Sequence, residues 1–113
     1  MKRKLRLSHS RDIRRVYGAR RARSGELLTV HTGPSRPDGP RFAFAVSTKV
    51  GGAVVRNRLR RQLRAAASEA VALAPAADIV VVARPAAAAA GYAQLAAELR
   101  DLLGGAGPAR GHW

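Results

Sequence analysis

The chain of 113 residues has no cysteine. That excludes a disulfide framework, a thiol nucleophile and any cysteine-based zinc site. Aromatic residues are scarce: two Phe, two Tyr and one Trp. A nucleic-acid surface built here must therefore lean on charge more than on stacking. Acidic residues are scarce too, with seven Asp and Glu. They are Asp12, Glu26, Asp38, Glu69, Asp78, Glu98 and Asp101, and none lies in a close acidic cluster of the kind that holds catalytic Mg²⁺ in protein nucleases. No apolar run approaches the roughly 18 residues that span a membrane. The start, MKRKLRL, is basic but lacks the apolar stretch of about 7 to 15 residues of a signal peptide. A cytoplasmic protein with no membrane partner is expected.

What is present is positive charge, placed unevenly. Residues 1–64 hold 18 Lys and Arg against 3 Asp and Glu, whereas residues 65–113 hold 3 against 4. The net charge of +14 is thus encoded in the first half. Arg outnumbers Lys 18 to 3. A guanidinium grips phosphate through a two-pronged fork and stacks on bases, so the bias suits nucleic acid, although codon bias alone would also favour Arg and Ala. The hydrophobic fraction of 47% includes 24 Ala, which bury little area. The core must rest on a modest set of Leu, Val, Ile and Phe.

The length suits one domain, with a basic arm over residues 1–9, an α/β body over 10–103 and a tail over 104–113. Ser10 suits a helix N-cap, and Ile13, Val16 and Tyr17 follow at helical spacing up to Gly18. Residues 19–23 read as a basic connector. Leu27 to His31 reads as a strand, and the Gly- and Pro-rich residues 33–40 as a loop. Residues 41–47 alternate, Phe42 and Phe44 on one face and Ala43 and Ala45 on the other, as a strand does. A helix is predicted over 53–72, closed by Pro75, with Val55, Leu59, Leu63, Ala66, Ala67 and Ala70 on one face. The run Ile79-Val80-Val81-Val82 fits a buried central strand. A last helix spans 92–103. The order α-β-β-α-β-α, with room for a further strand near 48–50, gives an α+β fold: a two-layer α/β sandwich on a sheet of about four strands.

The most informative segment is Lys49-Val50-Gly51-Gly52-Ala53-Val54-Val55-Arg56-Asn57-Arg58-Leu59-Arg60-Arg61-Gln62-Leu63-Arg64. A glycine turn feeds a helix crowded with arginine. Arg56, Arg60 and Arg64 recur at i, i+4, i+8, flanked by Asn57 and Arg61. Like charges at that spacing repel, and cations near a helix N-terminus oppose its dipole. No acidic residue stands nearby in the sequence to compensate. A polyanion partner would.

This segment resembles the "RNR" signature of the bacterial ribonuclease P protein. Ile13 to Tyr17, with Leu7, is similar to that family's first helix. Arg41 to Ser47 running into Lys49-Val50-Gly51 is similar to its second strand. Asp78 to Pro85 resembles its late buried strand, and Tyr92 with Leu95 and Leu99 its last helix. The resemblance covers residues 5–103 and implies a left-handed β-α-β crossover, which the general preference for right-handed crossovers would not suggest. It implies a protein subunit of the ribonuclease P ribonucleoprotein, with ribonuclease P RNA and precursor tRNA as partners and no small-molecule substrate. The RNA carries the chemistry and holds most of the Mg²⁺. Arg56, Asn57, Arg58, Arg60, Arg61 and Arg64 are then the candidate contacts to the catalytic RNA. Arg14, Tyr17, Phe42, Phe44 and Lys49 are the candidates for a cleft, between the first helix and the sheet, that holds the single-stranded 5′ leader. Two positions depart from the family pattern. Ile13 stands where an aromatic is usual, and a glycine is common near Arg20.

Bland alternatives stand beside these. Phe42, Phe44 and Tyr17 suit a core as well as a cleft, and Tyr92 suits the core. His9, His31 and His112 show no metal-ligand spacing, though His31 is able to touch RNA from its strand. Trp113 is assigned no role. No Ser/His/Asp pattern, P-loop or dinucleotide fingerprint occurs. A small ribosomal or general RNA-binding protein shares the charge and size, but does not require the strand, Lys-Val-Gly and RNR-helix order.

Overall fold

In a computed structural model, residues 2–104 are described. Four strands form one sheet: β1 (Ala22–Ser24), β2 (Leu28–Ser35), β3 (Arg41–Ala45) and β4 (Ala77–Ala83), in the spatial order β1-β2-β4-β3. Three helices accompany it: α1 (Ser10–Gly18), α2 (Ala53–Glu69) and α3 (Tyr92–Gly104). β2 runs antiparallel to both β1 and β4, while β3 runs parallel to β4. A parallel neighbour requires a crossover, and α2 provides it.

β4 is central and apolar on both faces. Ile79 and Val81 point into the main core with Leu28, Val30, Phe42, Leu59, Leu63, Leu95 and Leu99. That layer is closed by α2 and α3. Val80 points the other way, into a smaller cluster with Leu7 and Val16, flanked by Ile13, Ala43, Ala45 and Val82. α1 therefore covers part of the opposite face. It comes close because Gly33 lacks a side chain: a Cβ there would lie 2.7 Å from Cγ2 of Val16.

The fourth strand is not where the sequence suggested. Residues 48–50 form a turn, and the strand is β1, which overlaps the end of the stretch read as a basic connector and runs one residue past it. Ala22-Arg23-Ser24 lacks apolar alternation because it is an edge strand, bonded on one side only to β2. β2 also runs on to Ser35, through residues read as loop. Pro34 cannot donate to a ladder, and the register shifts between Thr32 and Ser35. Helix α1 starts at Ser10 itself, with His9 at the cap position and no side-chain capping bond. α2 ends at Glu69 and relaxes into a 3₁₀ turn over Val71–Leu73. Residues 85–89, an alanine-rich connector, form a second such turn.

The N-terminal arm is docked. After a 3₁₀ turn at Arg3–Leu5, Leu7 is buried and its N–H donates to the Phe42 carbonyl at 2.8 Å. Arg6 bridges Phe42 on the outer edge of β3. The arm thereby covers an edge that would otherwise be open for pairing. Most of the proposed tail, including His112 and Trp113, lies outside the described residues.

Candidate nucleic-acid interface

Helix α2 divides its labour by face. Leu59, Leu63, Ala66 and Ala67 are buried against the sheet and α3. Asn57, Arg61 and Arg64 are exposed, and Arg56, Arg58 and Arg60 are half-buried along the flanks. Arg60 donates to Oδ1 of Asn57 at 3.1 Å, so Asn57 orients one guanidinium on this surface. Arg58 donates to the carbonyl of Ala88 at 2.7 Å and fastens α2 to the turn after β4. The buried Nε atoms of Arg56 and Arg58 have no hydrogen-bond partner among the described residues. Nor does any α2 arginine form an ion pair among the described residues. The helix thus carries five cations that no carboxylate pairs with among the described residues.

The second surface is the face of the sheet that α1 only partly covers. Register places Ala43 beside Val80 and Ala45 beside Val82, with His31 and Thr29 across from them on β2. Ala43, Ala45 and Thr29 are small, so the face is shallow and open where α1 ends. Tyr17, 42% exposed, meets His31 edge-on with ring centroids 4.8 Å apart. Burial lowers the pKa of His31 from its ordinary value and raises that of Tyr17. His31 is thus neutral at pH 7, an aromatic rather than a charged group. Arg14 is exposed on α1, and Lys49 is exposed in the turn that follows β3.

Two expected cleft residues are elsewhere. Phe42 is 2% exposed within the main core, and Phe44 packs against the same core. Their rings stack, centroids 6.2 Å apart. The alternation of β3 forces a choice of face, and the layer closed by two helices takes the larger side chains. The cleft receives Ala43 and Ala45 instead. The aromatic group that replaces them in the cleft is His31, a polar-looking position that only its alternation with Leu28 and Val30 assigns to that face.

The family model "Ribonuclease P" matches residues 1–107. The chain belongs to the ribonuclease P protein family. A ribonuclease P protein component from Acidothermus cellulolyticus is 47% identical over 102 residues, covering 88% of this chain and 85% of that protein. One from Streptomyces avermitilis is 41% identical over 114 residues, covering 88% and 93%. Among solved structures, the RNase P protein of Staphylococcus aureus aligns with a TM-score of 0.78 at 27% identity, covering 88% of this chain and 92% of that one. That of Thermotoga maritima aligns at 0.79 and 25%, covering 88% and 94%. The family match sets aside a ribosomal identity. Family membership brings an RNA partner.

The carboxylates of this chain do not fit a resident Mg²⁺. Asp78 is held by Arg41 and Arg36, and Asp12 by Arg41 and Arg15. Glu98 is filled by backbone N–H groups, and Glu69 accepts from the Tyr92 hydroxyl. Among the described residues no three His, Asp or Glu side chains converge as a metal site would require. No helix among the described residues is long and apolar enough to cross a membrane.

Proposed function

We propose that this chain grips the catalytic RNA through the outer surface of α2 and holds the 5′ leader of precursor tRNA on the open face beside α1. As a member of its family, the chain is a protein subunit of the ribonuclease P ribonucleoprotein, the endonuclease that processes tRNA. The observation that carries the RNA contact is α2 itself: five arginines without ion-pair partners among the described residues, on a helix whose other face is pinned to the sheet. Asn57, Arg60, Arg61 and Arg64 present the accessible donors, with Arg56 at the flank. Arg58 divides its guanidinium between the fold and the surface.

For the leader, Tyr17 and His31 supply the stacking edge, and Arg14 and Lys49 supply charge at the margins. The shallow floor of Ala43, Ala45, Thr29 and Val82 admits a single strand without demanding a particular base. Ile13 offers no stacking platform, so phosphate contacts carry more of the binding. The protein neutralises phosphates and positions the leader in the cytoplasm, while Mg²⁺ belongs to the RNA. Less Mg²⁺ is then needed to screen the assembly.

The test is precursor-tRNA cleavage by a bacterial ribonuclease P RNA at low Mg²⁺, with and without the protein. Restored cleavage at the mature 5′ end, with no cleavage by the protein alone, is expected. Tight RNA binding with no effect on cleavage would overturn the proposal. With about six phosphates neutralised, the log–log salt slope of binding should be roughly −4 to −5.

A further inference from the structure

A second concentration of positive charge lies away from the start of α2. Arg3 and Lys4 in the first 3₁₀ turn, Arg6 before α1, Arg36 in the β2–β3 loop and Arg41 at the start of β3 line one recess of about 670 Å³. Three separate segments thus deliver five cations to one place. Asp38, on the rim, is the one acidic residue of the lining.

Two of these arginines are held in fixed orientations. Asp78, buried at the start of β4, accepts from Arg41 through both carboxylate oxygens at 2.8 Å. Its Oδ1 also lies 3.6 Å from Nε of Arg36. Arg36 is tethered further by a 2.8 Å bond from Nη1 to the Gly39 carbonyl. Both side chains remain 22% exposed. Neutralising one buried carboxylate requires one cation. Here Arg36 also lies 3.9 Å from Asp38 and Arg41 3.4 Å from Asp12, so the surplus is carried by Arg3 and Lys4, which have no side-chain partner among the described residues. Even counting Asp12 and Asp78 behind the wall and Asp38 on the rim, the four cations Arg3, Lys4, Arg36 and Arg41 exceed the carboxylates by one, before Arg6 is added. Preset guanidiniums with surplus charge suit a phosphate oxyanion.

The position names the source of that phosphate. A neighbouring recess is lined by Lys2, Lys4 and Leu5 together with Ser68 and Val71. The N-terminal segment therefore abuts the C-terminal end of α2, one turn beyond the exposed Arg64. We infer that this recess binds a backbone phosphate of the same RNA strand system that α2 contacts, as a second anchoring point. The inference rests on the RNA-binding reading of α2.

The test uses the full chain and the double variant Arg3→Gln/Lys4→Gln, which removes no side-chain hydrogen bond or ion pair among the described residues. In a ¹⁵N-labelled protein titrated with inorganic phosphate, amides of residues 3–9, 36 and 41 should shift and saturate. In the double variant those shifts should weaken severalfold, while the α2 amides respond as before. Linear, unsaturated shifts, or saturation unaffected by the double variant, would overturn the site. Binding to a bacterial ribonuclease P RNA then separates the sources. The double variant should lose about fivefold in affinity at 0.15 M salt and about one unit of the log–log salt slope. Phosphate binding with an unchanged RNA slope would make this a site for free phosphate and refute the inference. A wild-type protein that fails to support RNA cleavage refutes the α2 reading instead.

Discussion

Removing the Glu98 carboxylate should destabilise the domain more than any other single change on its surface. Glu98, on α3, reaches the turn between β1 and β2. Its Oε2 accepts from the N–H groups of Leu27 at 2.8 Å and Leu28 at 2.6 Å, and its Oε1 from Glu26 at 3.1 Å. Leu28 is fully buried. Hydrogen bonds to a charged acceptor contribute about 1.5 to 3 kcal/mol each where water is excluded. The bond to Glu26 is exposed and counts for little, so Glu98→Ala should cost about 3 kcal/mol, against a total stability on the order of 5 to 15 kcal/mol. Glu98→Gln keeps one oxygen for Leu27 and Leu28 but turns an NH₂ toward Glu26, and should cost about 1 kcal/mol. Gly25 provides an internal check. A Cβ there would lie 2.5 Å from Cδ of Glu98. Gly25→Ala should therefore be costly in the wild type and far less so beside Glu98→Ala, and urea unfolding of the four proteins in the cycle measures that coupling. A Glu98→Ala protein within 0.5 kcal/mol of wild type would refute the argument, as would additive effects at the two sites.

Arg20 sits just beyond the α1 C-cap with φ at 56°, and is the one non-glycine residue with positive φ among those described. Glycine relieves about 1 kcal/mol of left-handed strain and gives back about half in unfolded-state entropy, so Arg20→Gly should raise the melting temperature by a few degrees; a decrease would show the arginine side chain to be needed there. Burial lowers the His31 pKa, so the folded state disfavours its charged form. Its stability contribution is complete above the unfolded value of about 6.5 and declines as pH falls below it. Thermal melts between pH 7.5 and 5 should therefore lose more stability in wild type than in His31→Gln, and parallel curves would contradict the assignment. Arg58→Ala should cost about 1 kcal/mol in denaturant because the bond to Ala88 is lost, whereas Arg61→Ala should leave stability alone and lower RNA affinity; equal stability of the two would deny Arg58 its place in the fold.

The helices and central strand were readable because each announces itself by period. The run Ile79 to Val82 is buried on both faces and needs no polar alternation, and α2 shows its apolar face plainly. β1 was illegible for the converse reason. An edge strand of Ala, Arg and Ser is stabilised by its partner and by the Glu98 clamp on the turn that follows it, 70 residues from Leu28, neither visible locally. The RNR residues were legible as a group because uncompensated charge on a helix has few structural uses. Their division into Arg58 as fastener and Arg61 and Arg64 as exposed donors depends on where residues 85–89 pass, which only the fold determines. The two phenylalanines show the limit of strand alternation. It separates the faces of β3 but does not say which face α2 and α3 will close. Arg20 is the opposite case: the missing glycine marked the position, and the backbone there is left-handed.

One strand links the leader face, the α2 surface and the N-terminal recess. β4 pairs with β3 in a register that sets Ala43 and Ala45 beside Val80 and Val82, and this makes the leader face shallow. Its first polar residue, Asp78, pairs in the ladder with Arg41 and holds that side chain at the recess. Because β3 and β4 are parallel neighbours, the chain must cross between them, and the crossover is α2 with its arginines. A substitution in the middle of β4, such as Val81→Ala, should therefore weaken leader binding, RNA binding and folding together, by about 2 kcal/mol of stability. Arg61→Ala and Arg3→Gln/Lys4→Gln should each remove one RNA contact and leave folding intact. If Val81→Ala lowered stability but left both binding functions unchanged at a temperature where the variant remains folded, the surfaces would be independent of the strand that this register makes their common support.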